Sequence, residues 1–92
     1  MGMKSLQIKV EGNVQGVYFR MSTKEKADQL GLKGFAKNEK DGSVYIEVEG
    51  EEVILEKLIE WLHVGPPNAN VTKVSIEDQP IIGYVDFVIR RH

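Results

Sequence analysis

The chain has 92 residues, 41% hydrophobic and 28% charged, which supplies one small core and excludes two domains. Its 12 Lys and Arg against 14 Asp and Glu leave a formal charge of -2, without the cation surplus that binding to a nucleic-acid backbone requires. Zero cysteines exclude a disulfide framework, a thiolate metal site and a cysteine nucleophile, and fit a reducing cytoplasm.

The longest apolar runs, such as Val53-Ile54-Leu55 and Val17-Tyr18-Phe19, fall far short of the ~20 residues of a membrane helix. The start, Met1 to Leu6, lacks the apolar centre of a signal peptide and puts Leu6 where a myristoylation signal needs Ser or Thr. A cytoplasmic protein with no membrane partner is expected.

Leu6, Ile8 and Val10 alternate with polar residues, which reads as a half-buried strand ended by Gly12. Phe19, Thr23, Ala27 and Leu30 then follow helical spacing, so a helix is predicted from about Arg20 to Leu30, stopping at Gly31. Phe35 to Lys37 reads as a second strand. Asp41-Gly42 is a turn signal leading into Val44, Ile46 and Val48, which completes a hairpin closed by Gly50. Glu51 and Glu52 place negative charge at the start of a second helix whose apolar face is Leu55, Leu58, Ile59 and Leu62, and Gly65-Pro66-Pro67 terminates it. Thr72, Val74 and Ile76 form a further strand, a turn surrounds Asp78-Gln79-Pro80, and Val85, Phe87 and Ile89 share one face of the last strand. Each helix has one apolar stripe to match one apolar sheet face. The expected fold is a single α+β domain over residues 1–92, a ferredoxin-like sandwich with two helices packed on one face of an antiparallel sheet.

Chemistry concentrates in Gly12-Asn13-Val14-Gln15-Gly16-Val17-Tyr18-Phe19-Arg20, the connection from first strand to first helix. Two glycines four residues apart let such a loop curl, and backbone N–H groups converging at a helix N-terminus make an anion site. The Gly-x-x-x-x-Gly-Lys-Ser/Thr spacing of a nucleotide loop is missing. Arg20 is the only arginine before Arg90-Arg91, in a chain that otherwise uses nine lysines. A planar guanidinium donates two parallel hydrogen bonds to phosphate, which an ammonium cannot imitate. From these residues alone, the loop also reads as an ordinary turn and Arg20 as a solvated or salt-bridged side chain.

Four segments resemble the acylphosphatase family in residues and order. They are Gly12-x-Val14-Gln15-Gly16-Val17-x-Phe19-Arg20, Ala27-x-x-Leu30-Gly31-Leu32-x-Gly34, Asn38-x-x-Asp41-Gly42-x-Val44 and Gly65-Pro66-Pro67-x-Ala69-x-Val71. The resemblance covers essentially the whole chain. It implies the same sandwich fold, and hydrolysis of the carboxyl-phosphate bond of acyl phosphates without metal or cofactor. It also implies that the loop backbone at Gln15, Gly16, Val17, Tyr18, Phe19 and Arg20 cradles the phosphoryl group, that Arg20 binds phosphate, and that Asn38 orients the attacking water. The implied partners are a small acyl phosphate as substrate and inorganic phosphate as product; the net charge predicts no nucleic-acid partner, and a monomer is expected. Asn38 fits its role chemically, since a carboxamide both donates and accepts; its place before the Glu39-Lys40-Asp41-Gly42 turn has a local reading too. The sequence departs from the family at Asn13, where a basic residue is frequent, and at Phe35, where a tryptophan is frequent and an aromatic core role is expected.

Other residues are read as structural. His63 and His92 have no metal-ligand spacing, Trp61 suits core or edge packing, and Glu47, Glu49, Glu51 and Glu52 read as a solvated acidic cluster. Two other functions compete with this reading. An RNA-binding sandwich would stack a base on an exposed Tyr45, but Glu47 and Glu49 flank it on the same face. A carbamoyl-phosphate domain within a larger maturation protein is the other, against which the 92-residue length is set.

Overall fold

A computed structural model describes residues 2–91, so the expectations for Met1 and His92 lie outside it. In chain order the elements are β1 (Met3–Asn13), α1 (Phe19–Leu30), β2 (Lys33–Asn38), β3 (Val44–Glu51), α2 (Glu52–Leu62), β4 (Asn70–Gln79) and β5 (Phe87–Arg90). The strands form one sheet in the order β4-β1-β3-β2-β5. The β-α-β-β-α-β succession of the ferredoxin-like sandwich is present, with β5 added at one edge.

The period-two pattern of β1 works as read: Leu6, Ile8 and Val10 are buried on the helix side. The strand is longer than its apolar pattern because β3 and β4 flank it and satisfy both of its hydrogen-bonding edges. Gly12 does not end β1. It sits at a bulge where the register to β4 shifts, with φ of 126°, and a Cβ there would lie 2.1 Å from the Asn70 carbonyl oxygen. The sheet is also mixed, because β5 runs parallel to β2 while all other pairs are antiparallel. The chain must cross from the β4 edge to the opposite edge, and it arrives there in the direction of β2.

Phe19, Thr23 and Ala27 bury one face of α1, and Leu55, Leu58 and Leu62 one face of α2. Gly31 stops α1 in the left-handed conformation, φ 72°, with its own N–H and that of Leu32 donating to Asp28 and Ala27 carbonyls. On the edge strand β4, Val74 packs partly buried against the core while Thr72 and Ile76 are exposed rather than core. Val85 lies before β5 and is 84% exposed, leaving Phe87 and Ile89 as the helix-side residues of that strand.

The largest departures lie on the helix-free face. Phe35 is buried there, not in the helix-side core: Tyr45 and Tyr84 pack beside it, and the Arg90 guanidinium stacks 3.8 Å from its ring centroid. Tyr45 is half-buried rather than exposed, and its hydroxyl donates to Glu47 at 2.6 Å. Glu47 also accepts from the Tyr84 hydroxyl and from Gln79. Burial and the bond to Glu47 push the Tyr84 hydroxyl up to about 12.

Glu49 is 3% exposed, so the reading of a wholly solvated acidic cluster fails here. Its carboxylate accepts backbone N–H bonds from Ile82, Gly83 and Tyr84, fastening the segment that leads from β4 to β5. Burial pushes this carboxyl up, but the amides and the Ser5 hydroxyl outweigh burial and hold it below its ordinary value of 4.5. A carboxyl lowered on folding stabilises above its unfolded pKa, and that contribution is lost as pH falls through the folded value. Glu49→Gln retains the shape but turns a donor toward amide donors, so about 2 kcal/mol of stability should go at pH 7. In urea unfolding, the gap between parent and variant should narrow as pH falls below 4.5; a gap that is absent at pH 7, or unchanged by acid, contradicts this role.

Candidate active site

The loop between β1 and α1 is pinned at both ends by side chains in the core, Val14 at 1% and Phe19 at 2% exposure. Between them Gly16 takes φ of 74° and Tyr18 φ of 63°, both left-handed, while Val17 between them does not. Alternating handedness turns successive N–H groups into one concavity. At Gly16 this conformation is free of Cβ strain. At Tyr18 it costs about 1–2 kcal/mol, a cost the buried flanks must hold in place.

Tyr18 is the N-cap of α1, and the first helical bond runs from the Ser22 N–H to the Tyr18 carbonyl. The N–H groups before Ser22 therefore lack intrahelical acceptors. No side chain caps them and no acidic residue stands in the first turn. By contrast α2 carries Glu52 in its first turn. The start of α1 is left as an unopposed set of donors at the positive end of a helix dipole.

These donors open into a cleft of about 350 Å3 that Gly16, Tyr18, Arg20, Met21 and Asn38 line together with Ile89 and Arg91. Arg20, half-buried at the second helical position, donates from Nη1 to the Arg90 carbonyl at 3.3 Å, which turns its guanidinium toward the end of β5. Asn38 is the last residue of β2 and is half-buried. Strand alternation puts it on the helix side with the fully buried Ala36. Among the described residues lining the cleft there are two arginines and no carboxylate, although the whole chain is negative. Such a pocket raises the local potential for an anion. Among the described residues no cluster of three His, Asp or Glu could hold a metal ion.

The residues singled out in the sequence are thus partly united. Gly16, Tyr18, Phe19, Arg20 and Asn38 share the cleft lining. Val17 is half-buried against the core, leaving only its backbone for a ligand, and the Gln15 side chain is engaged elsewhere. That side chain donates from Nε2 to the Glu39 carbonyl at 2.8 Å and the Ser43 carbonyl at 2.9 Å, across to the turn that follows Asn38. The turn is braced from its far side by Asp41, which accepts from the Ser43 N–H and hydroxyl and pairs with Lys9 at 2.8 Å. The Lys9 ammonium and the Ser43 bonds hold the Asp41 carboxyl well below the usual carboxylate range.

Arg91, Met21 and Ile89 are cleft residues that sequence reasoning missed. The available signal was parity: counting from Phe87, Ile89 and Arg91 fall on the helix side and Arg90 on the other. The Gly65-Pro66-Pro67 segment does more than end a helix. A Cβ on Gly65 would approach the Phe19 ring to 2.7 Å, so this tight turn buttresses the residue beside Arg20, with Trp61 packed at 5.8 Å between ring centroids. His63 is exposed and takes no part.

The acylphosphatase family model matches residues 6–89. The acylphosphatase of Thermotoga maritima is 49% identical over 88 residues, spanning 96% of this chain and 98% of that protein. Among solved structures, an acylphosphatase from Coxiella burnetii superposes with a TM-score of 0.93 at 40% identity, covering 96% of this chain and 93% of that one. The acylphosphatase of Bacillus subtilis gives 0.92 at 36% identity, covering 97% and 99%.

Proposed function

This chain belongs to the acylphosphatase family and hydrolyses acyl phosphates, and we propose that it does so by in-line attack of water in the cleft between α1 and the end of β2. The phosphoryl group lies against the backbone N–H groups from Gln15 to Arg20, and the Arg20 guanidinium binds its oxygens. Asn38 holds the attacking water through a carboxamide that accepts one hydrogen bond and donates another. Water adds to phosphorus, the P–O bond to the acyl group breaks, and the electron pair leaves on a carboxylate. A carboxylate is a good leaving group, so no general acid is required and positioning with charge stabilisation carries the reaction. The water proton passes to a phosphoryl oxygen, which becomes part of the inorganic phosphate released. Reading the chain as one acylphosphatase-like domain is supported by the near-complete mutual coverage with the Thermotoga protein.

The observation that carries this reading is one cleft holding Arg20, Asn38 and the uncapped start of α1, with no carboxylate among the described lining residues. It is tested by phosphate release from acetyl phosphate. Inorganic phosphate should inhibit competitively, since product and substrate share the amide cradle, and EDTA should leave the rate unchanged. Inhibition by EDTA that a divalent ion reverses would overturn the mechanism, and an absence of inhibition by phosphate would remove the cradle.

A further inference from the structure

We propose that Gln15, through its side chain, is a positioning residue for the hydrolytic step, coupling the phosphate cradle to the turn that carries Asn38. The proposal rests on the roles given above to Arg20 and Asn38, and it starts from a side chain that the cleft chemistry leaves unused. Both partners of Nε2 are backbone carbonyl oxygens, which can only accept. The orientation of the carboxamide is therefore fixed by its surroundings: a flipped amide would set oxygen against oxygen twice.

The two bonds span 24 and 28 residues and end at the two feet of one turn. Glu39 follows Asn38 directly, and Ser43 precedes Val44, the residue paired with Asn38 across the hairpin. The Glu39 N–H also donates to the Ser43 carbonyl at 2.9 Å, so Gln15 completes the second acceptor site of that oxygen. On the other side of Gln15 the backbone passes at once into left-handed Gly16 and Tyr18, the residues that shape the cradle. One side chain thus ties the place of the phosphoryl group to the place of the water. Nothing else described joins these two segments by side-chain hydrogen bonds. Displacements of order 1 Å between reacting groups lower rates about 100-fold, so the loss of such a tie should appear in turnover before it appears in binding.

The test uses Gln15→Met, of similar length without the donors, and Gln15→Asn, which keeps the carboxamide but not its reach. Both should lower kcat for acetyl phosphate about 10-fold while KM and the Kd for inorganic phosphate stay within about 2-fold. Asn38→Ala and the Asn38→Ala/Gln15→Met pair complete a cycle, followed at high enzyme concentration. If Gln15 acts through Asn38, the second substitution should change the residual kcat less than 2-fold. Phosphate affinity falling in step with kcat, or losses that multiply in the double variant, would overturn the coupling while leaving the role of Asn38 standing. Full turnover in Asn38→Ala alone would instead bring down the reading of the site, and this proposal with it.

Discussion

Arg20→Lys is expected to lower kcat/KM on the order of 100-fold with the fold intact, because the charge survives but the two-pronged donor geometry does not. Lysine presents a point charge on a flexible stem, and a phosphoryl group in flight spreads its charge over equatorial oxygens that a planar fork can meet in pairs. The fold should tolerate the change. Arg20 is half-buried at the helix start, and among the described residues its side chain makes one hydrogen bond, to the Arg90 carbonyl, exposed and long at 3.3 Å. A urea midpoint close to the parent's, together with weakened phosphate binding by calorimetry, is the expected pair of results. Turnover near the parent's value would remove Arg20 from the reaction.

Asn38→Ala should reduce kcat on the order of 1,000-fold yet leave the Kd for inorganic phosphate within about 2-fold. A group that acts only on the nucleophile contributes to the transition state and not to ground-state binding of the anion. Arg20→Ala should lose both properties. Asn38→Asp should be as inactive as the alanine variant, since a carboxylate near the bound phosphoryl group adds like-charge repulsion. Calorimetry beside turnover for Asn38→Ala and Arg20→Ala separates the two assignments. Ordinary turnover in Asn38→Ala, or loss of phosphate binding as complete as in Arg20→Ala, would show that Asn38 does not serve the water.

The helix side of the molecule was legible because periodicity reports burial against one apolar layer. Leu6, Ile8 and Val10, or Leu55, Leu58 and Leu62, alternate or recur as their elements require. The helix-free face was not legible. Glu49 and Phe35 are buried there by each other's neighbours and by the segment before β5, and no local pattern marks a glutamate that three distant amides will enclose. The same division runs through the cleft. Gly16 and Arg20 announce themselves within one loop, and Asn38 through its motif. Arg91 enters only because β5 docks in parallel on β2, a pairing invisible in the strand's own four residues. Gln15 belongs to the loop that the motif marks, while its side chain bonds to a turn beyond the reach of local spacing.

The bond from Arg20 to the Arg90 carbonyl closes across 70 residues. The cleft is therefore closed by contacts between distant parts of the chain, and a chain in which β1, α1, β2 and β3 have come together still lacks one wall. Ring closure over such separations is entropically slow compared with forming hairpins and helices. Recovered catalysis should thus require the docking of β5 as well, whereas recovered helix signal reports only local structure. A chain emerging from the ribosome N-terminus first likewise has its β1–α1 loop early and the whole lining of the cleft only once its last residues are made.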